Sequence, residues 1–349
     1  MFVGIDVGGA NTKVATSDVN GFVDTIYAPL WKNTAILYDV LSALKQKFGA
    51  GERIEAVGVV MTGELCDCFE TKREGVFHIK KALSTVFKNV KFFDTNCVFR
   101  DVSDVDKDPL SFASTNWLAS AKLISEQYKD AIFVDIGSST TDVIPIKRGE
   151  IRAQRTDLER LKSGELIYSG VLRTSVATLL KKVKIGEKGE ECRTSAEFFA
   201  ITADAYLVLG YINERDYSCE SPDSHAFAGR EKEEKSRISA MRRLARVVCS
   251  DLEGIGEDSA VGIAEQVKEA QVEELVASIK KIKEKYRLKT VVSAGIGDFI
   301  AKEAAESLNI QFLSLSSIHG KKISAAFPAY AVAKLLEQFF TFSKKYLVG

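Results

Sequence analysis

The sequence predicts an α/β protein of two related halves, with a helical insertion in the second. Three observations carry this. A strand–turn–strand hairpin opens each half, and both copies end their first strand on an aspartate: Val3-Gly4-Ile5-Asp6-Val7-Gly8-Gly9 and Phe133-Val134-Asp135-Ile136-Gly137-Ser138. Short runs rich in Val and Ile alternate with longer segments whose apolar residues recur at helical spacing. From about residue 174 to about 251 the helical spacing takes over.

Strand-like residues 2–6 lead through Gly8-Gly9-Ala10-Asn11 into 12–16, and a turn at Asn20-Gly21 leads into 22–27, an antiparallel meander. Ile36, Leu37, Val40, Leu41 and Leu44 form one stripe of a helix over 34–48. Strand 54–61 ends at Thr62-Gly63-Glu64, and a helix over 79–87 and a strand over 90–93 complete the first unit. In the second half, strand 131–135, the turn Gly137-Ser138-Ser139-Thr140 and strand 141–146 repeat the opening, and Arg148-Gly149 turns the chain into 150–153. Helical stripes cover 175–183, 195–210 and 236–248, with the polar stretch 220–235 between the last two expected as a mobile loop or lid. A helix over 260–286, strand 290–293, a helix opened by Ala294-Gly295-Ile296-Gly297, strand 310–313 and a last helix over 325–342 follow. The expected domains are residues 1–125, then 126–324 including the insertion, then a C-terminal helix within 325–349 that packs back on the first domain.

With 349 residues, 46% of them hydrophobic, the chain can bury two cores. Its 48 Lys and Arg balance 48 Asp and Glu. No long-range field therefore draws it to nucleic acid or anionic lipid, and any anion must be held by local groups. No apolar run reaches the roughly 20 residues of a membrane span, and residues 1–7 read as a strand rather than a signal peptide. Cysteines scattered at 66, 68, 97, 192, 219 and 249 suit reduced thiols in a cytoplasm. Cys66-Asp67-Cys68, with Cys97 and His78, lacks the second Cys/His pair of a zinc site and reads instead as small residues lining a cleft. His225 and His319 lie in polar stretches and suggest no Ser/His/Asp triad.

Gly8, Gly9 and Asn11 make a turn whose backbone N–H groups can approach an anion closely, and Thr12 and Lys13 add donors. Gly137, Ser138, Ser139, Thr140 and Thr141 offer the same chemistry from amides and hydroxyls. Two such hairpins, each beside an aspartate, point to phosphate held in a cleft between the halves. Asp6 and Asp135 suit water-mediated Mg²⁺, a cation that takes few carboxylates and keeps its waters; either could instead cap its own turn.

Gly4-Ile5-Asp6-Val7-Gly8-Gly9-Ala10-Asn11-Thr12-Lys13 and Val134-Asp135-Ile136-Gly137-Ser138-Ser139-Thr140-Thr141-Asp142 resemble the two phosphate motifs of the acetate kinase, sugar kinase, Hsp70 and actin superfamily. Ser293-Ala294-Gly295-Ile296-Gly297-Asp298 resembles its third motif, which in ATP-using members lies against adenosine, and so places Gly295 and Gly297 among the binding residues. The resemblance implies two ribonuclease-H-like domains of the actin/acetate-kinase type around a central cleft. More narrowly, the chain resembles the hydantoinase/oxoprolinase-like branch and, within it, the enzymes of methanofuran biosynthesis that join a furan unit to γ-glutamyltyramine. Met61-Thr62-Gly63-Glu64-Leu65-Cys66-Asp67-Cys68-Phe69, Thr71-Lys72, Glu74-Gly75-Val76, Ala113-Ser114-Thr115-Asn116-Trp117 and Phe327-Pro328-Ala329-Tyr330 carry that likeness.

What the resemblance implies is an alkyl transfer: the phenol of γ-glutamyltyramine displaces diphosphate from (5-aminomethylfuran-3-yl)methyl diphosphate, with no ATP expected. Lys13, the turn amides of 8–11 and 137–141, and Mg²⁺ would neutralise the leaving group. A phenol with a pKa near 10 needs a base, for which Glu64 and Asp142 are the candidates and Asp135 the third. Glu64 or Asp67 could stabilise positive charge at the departing carbon, and Asp67 could instead meet the furan's amine. Thr62 belongs to the same binding stretch. Lys72 and Arg73 could meet the γ-glutamyl carboxylates. Trp117 could stack on an aromatic substrate or serve as a core residue at a helix start. The main rival is an ATP-dependent sugar-type kinase using Asp135 or Asp142 as base. A sugar-responsive regulator finds no basic DNA-facing surface here, and ATP-driven amidohydrolases of the branch are far longer. The sequence carries no signature of oligomeric state.

Overall fold

The computed structural model describes residues 1–18, 21–49 and 54–347. Asn20 of the expected turn and residues 348–349 lie outside them. Two compact units are present, one of Met1–Phe133, Ile144–Arg160 and Leu315–Gly349, the other of Val134–Val143 and Leu161–Ser314.

The first sheet contains β1 (Phe2–Val7), β2 (Asn11–Thr16), β3 (Val23–Tyr27), β4 (Ala56–Met61), β5 (Val90–Phe93) and β6 (Phe99–Asp101), in the order β3-β2-β1-β4-β5-β6. β1 pairs antiparallel with β2 and parallel with β4, and β4 is parallel to β5. Every residue of β1 and β4 is buried, which is why both read as unbroken apolar runs rather than alternating ones. Val3, Ile5, Leu37, Leu41, Val59, Ile79, Leu83 and Phe92 share the core with helices Ile36–Gly49 and Lys72–Val86.

Helix Phe327–Leu347 also packs on β1 and β4. Gly4 and Gly58 are register partners there. A Cβ on Gly4 would lie 2.0 Å from the Ala329 carbonyl oxygen and 2.7 Å from the Ala333 nitrogen; one on Gly58 would press Leu336 and Val332 at 3.3 Å. The two missing side chains let the helix backbone sit directly on the sheet.

The second sheet is built from β7 (Asp130–Ile136), β8 (Thr141–Lys147), β9 (Glu150–Ile151) and β10 (Leu166–Ile167), then, beyond a hairpin of β11 (Lys182–Ile185) and β12 (Glu190–Arg193), from β13 (Thr290–Gly295) and β14 (Gln311–Ser314). Its path is β10-β8-β7-β13-β14, with β9 also on β8. The path β9-β8-β7-β13-β14 thus repeats β3-β2-β1-β4-β5, the ribonuclease-H-like order, so the duplication read from the hairpins extends to whole sheets.

The insertion departs from the expected pattern in three places, one being that helical spacing over 195–210 yields only helix Thr202–Leu209. Helical spacing over 175–183 yields only helix Val176–Leu179, after which Lys182-Val183-Lys184-Ile185 alternates as a strand and turns at Gly186 and Gly189, whose φ values are 69° and 62°. The polar stretch 220–235 is tied near both ends. Asp223 accepts from Arg243 and Arg246 at 3.0 Å each, and the Ser221 amide donates to Glu234 at 2.8 Å. Arg243 is fully buried and also donates twice to buried Asp204, at 2.9 and 2.7 Å, while the Tyr217 hydroxyl donates to the same carboxylate. In the first unit, the helix expected from 79 begins at Lys72 and is capped by Thr71, whose hydroxyl accepts from the Glu74 amide at 3.2 Å. Thr71-Lys72-Arg73-Glu74 is a capping signature that the apolar stripe alone does not reveal.

Gly4→Ala is expected to cost about 3 kcal/mol, because the clash is with helix backbone and not with a flexible side chain. It is read as a fall in thermal midpoint; a midpoint within about 2 °C of the parent would contradict the close approach.

Candidate functional site

β1 and β4 run parallel and finish in register at Val7 and Met61. The segments that follow both strands therefore leave the sheet at one level of the same edge. After β1, Gly8 opens the turn to Asn11, its amide donating to the Asn11 carbonyl at 3.0 Å. After β4, the Thr62 amide donates to the Val7 carbonyl at 2.9 Å and residues Gly63–Leu65 form a 3₁₀ turn. The two segments interlock: a Cβ on Gly63 would lie 3.1 Å from the Gly8 carbonyl, and one on Gly9 would lie 2.6 Å from Cys66 Sγ. The Thr115 amide donates to the Met61 carbonyl at 3.1 Å and brings Ser114 to this edge. Helix Lys72–Val86 closes the group, since a Cβ on Gly75 would lie 2.2 Å from the Glu64 carbonyl oxygen. Four stretches singled out in the sequence thus meet in one unit: 8–13, 61–69, 71–76 and 113–117.

Glu64 is fully buried. Its Oε1 lies 2.9 Å from Ser114 Oγ, and its Oε2 has no hydrogen-bond partner among the described residues. Burial pushes the carboxyl above its usual range; backbone and Ser114 hydrogen bonds and the charge of Lys72 pull the other way, and Asp157 adds to the rise. Ser114 Oγ also lies 2.6 Å from Asp157 Oδ2. Lys72 Nζ is 3.7 Å from Asp157 Oδ2, and Arg160 donates to Oδ1 at 3.3 Å. Ser114 itself sits at φ 53°, a left-handed conformation that costs a residue with a side chain on the order of 1–3 kcal/mol. Asp157 and Arg160 were not anticipated. The signal available was their i, i+3 spacing, acid before base, at the start of helix Asp157–Ser163.

Lys13 pairs in register with Asp6 across β1 and β2, with Nζ 4.0 Å from Asp6 Oδ2. Asp6 and Thr12 are buried, and Thr12 Oγ1 and Asn11 Oδ1 have no partner among the described residues. One carboxylate beside a lysine and unsatisfied polar atoms suits a hydrated Mg²⁺ brought in with a phosphate, not a closed protein cage. Among the described residues no group of three His, Cys, Asp or Glu could enclose a metal. Asp67 and Arg73 are exposed, unlike Glu64.

In the other unit the second hairpin repeats the first. The Gly137 amide donates to the Thr140 carbonyl at 2.9 Å, with Ser138, Ser139 and Thr140 half-buried. Thr141 donates to the Ser169 carbonyl at 2.8 Å. Asp135 and Asp142 are buried, Asp142 in register with Leu166. Gly295, at φ 89°, admits no side chain, because a Cβ would lie 2.2 Å from the Ile136 carbonyl and 2.7 Å from Asp135 Oδ1. The amides of Ile296 and Gly297 both donate to that carbonyl, at 2.9 and 3.2 Å, and helix Asp298–Ser307 starts directly after. The third motif thus lies beside the second hairpin.

A pocket of about 550 Å³ in the first unit is lined by Ser114, Trp117, Cys97, Lys122, Gln154 and Arg155, among others. The Trp117 ring is buried under the Arg160 guanidinium at 4.1 Å, so one of its faces is closed to a substrate ring. Cys97 borders the same pocket. His78 lies apart, bonded to the Thr34 carbonyl at 3.1 Å and packed on Phe69.

Two ribonuclease-H-like sheets, each with a glycine hairpin after its first strand, define a protein of the actin-like class. The model of the hydantoinase/oxoprolinase family matches residues 55–339, and the chain belongs to that family. A curated relative from Methanocaldococcus jannaschii is 39% identical over 97% of this chain and 98% of its own length. It is named (4-{4-[2-(gamma-L-glutamylamino)ethyl]phenoxymethyl}furan-2-yl)methanamine synthase. A relative of the same name from Methanococcus vannielii is 37% identical over 62% of this chain and 96% of its own. Among solved structures, a ROK family glucokinase from Streptomyces griseus in complex with glucose and AMPPNP aligns over 96% of this chain and 98% of its own, with 11% identity and a TM-score of 0.47.

Burial pushes the Cys97 thiol up to about 11, with Lys122 opposing and Asp94 assisting. At about pH 8 its reactive thiolate is then on the order of one part in a thousand. Iodoacetamide at that pH is expected to label exposed Cys249 and spare Cys97. Equal labelling by peptide mass spectrometry would contradict the raised Cys97 thiol.

Proposed function

We infer that this protein condenses (5-aminomethylfuran-3-yl)methyl diphosphate with γ-glutamyltyramine, forming an aryl ether and releasing diphosphate, in methanofuran biosynthesis. The observation that carries the reading is the 39% identity, end to end, with a synthase whose name describes that ether. The convergence of four motif stretches on one sheet edge supports it physically. An enzyme of this type handles small molecules only, and the balanced charge agrees.

The chemistry asks for three things, and the first unit offers a candidate for each. The C–O bond to diphosphate must break, and Lys13 with the amides of the 8–11 turn supplies positive charge to the departing oxygens. Bound at Asp6, Mg²⁺ would add further neutralisation of the diphosphate. The phenolic oxygen must lose its proton as it bonds the furan's CH₂ carbon, and Glu64 offers a buried oxygen with no partner among the described residues. A dry carboxylate there, once ionised, also favours positive charge on the furan carbon. Glu64 is the base we favour over Asp142 and Asp135. The hairpin of 137–142 and Gly295 and Gly297 are proposed to contribute phosphate binding, and Lys72 to meet the acceptor's carboxylates.

Incubation with the two substrates is expected to give ether and diphosphate in equal amounts by mass spectrometry, without ATP. Lys13→Ala is expected to cut turnover by about 10²-fold or more while the protein stays folded. ATP-dependent phosphorylation of a small molecule, with no ether formed, would replace this reading with the kinase.

A further inference from the structure

We propose that Glu64, Ser114 and Asp157 form a proton relay that holds one extra proton at rest and carries the acceptor's proton from buried Glu64 to the exposed side of Asp157. The proton's source rests on the synthase reading; the resting proton does not.

The argument starts from a count of hydrogens. Ser114 Oγ lies 2.9 Å from Glu64 Oε1 and 2.6 Å from Asp157 Oδ2, yet a hydroxyl has one proton to give. Were both carboxyls ionised, one of these short contacts would set oxygen lone pairs against each other. A single added proton resolves the arrangement in either of two ways. Either Glu64 donates to Ser114, which donates to ionised Asp157, or protonated Asp157 donates to Ser114, which donates to ionised Glu64.

The surroundings choose between them. Lys72, from helix Lys72–Val86, and Arg160, one turn along from Asp157, both face Asp157 within 4 Å. Glu64 is wholly buried, whereas the Asp157 side chain is 25% exposed. The resting proton therefore sits on Glu64, consistent with the upward push of burial there. The other titratable groups of the loop over 62–71 are the thiols of Cys66 and Cys68 and the carboxylates of exposed Asp67 and Glu70. The left-handed φ of Ser114 holds its hydroxyl at the crossing point.

In turnover the protons balance. Transfer through Ser114 moves the stored proton to Asp157 and leaves Glu64 ionised. As the phenolic oxygen bonds carbon, its O–H bond breaks and the proton goes to Glu64 Oε2. Asp157 then gives one proton to water, the resting state returns, and one proton is released per ether formed.

The test is a titration of the carboxyl groups by infrared difference spectroscopy on the intact protein with ¹³C-labelled glutamate. A protonated glutamate band is expected to persist above the usual carboxylate range, as burial of Glu64 raises its carboxyl, and should be absent from Glu64→Gln. Asp157→Asn removes a negative neighbour and frees the Ser114 proton for Glu64, so it should shift the titration down by about one unit or more. Ser114→Ala removes a hydrogen bond to the ionised form and should shift it up. The acid limb of the pH–rate profile should move down in Asp157→Asn. A titration unmoved by Asp157→Asn, or shifts of the same sign in both variants, overturns the relay even where the parent forms ether. Opposite shifts in a protein that forms no ether support the stored proton and overturn the synthase reading alone. Asp157→Asn preserves shape at a partly exposed position, and Ser114→Ala gives an independent arm should that variant not fold.

Discussion

The parallel pairing of β1 with β4 ends both strands at one level, and the whole candidate site of the first unit is built on that edge. Val7 and Met61 are register partners, so a shift of one residue would send each strand's side chains to the opposite buried face of the sheet. It would also separate the turn at Gly8 from the turn at Gly63. Gly8, Gly9, Gly63 and Gly75 then allow backbone to approach backbone or sulfur where any Cβ would collide. Glycine here acts through the space it leaves, since none of these four has a positive φ.

That packing determines the electrostatics. Glu64 is fully buried in a loop packed between the Gly8 turn and helix Lys72–Val86. An isolated ionised carboxylate in such surroundings costs several kcal/mol, and one hydroxyl is a modest compensation. Lys72 and Arg160 direct their charge to Asp157. The fold thus sets two carboxyls on either side of one serine and gives them unequal surroundings, the kind of asymmetry that separates acid from base.

The second unit uses the same devices for another purpose. Gly295 brings the end of β13 onto the Ile136 carbonyl, which accepts the amides of Ile296 and Gly297. The second hairpin and the third motif are thereby held together as one piece. Farther along, Arg243 ties Asp204, Asp223 and the Glu234 carbonyl. Such a buried ionic network contributes little net stability compared with apolar packing, and removing one partner is costly. It ties the ends of a polar stretch to the helices around it.

Much of the fold was legible in the chain because it depends on local pattern. The buried strands, the two hairpins, the β-meander and the last helix follow from apolar runs, glycine turns and helical spacing. The strand β11, the cap at Thr71 and the tethered ends of the 220–235 stretch were not read, because a short period-2 segment inside a helical region, a single threonine cap and an arginine many residues away leave weak local marks. At the site, Glu64 and the hairpin residues stood out by their motifs. Asp157 did not, since its meaning comes from Ser114, 43 residues earlier in the chain.

Taken alone, the sequence determined which elements form and which residues can carry chemistry, since periodicity, turn residues and motif spacing are properties of neighbours along the chain. Only tertiary structure decided which carboxyl is dry, which is paired with cations, and that one hydroxyl serves both. Those depend on distances between segments far apart in sequence, and electrostatic energy is set by distance and burial rather than by order along the chain.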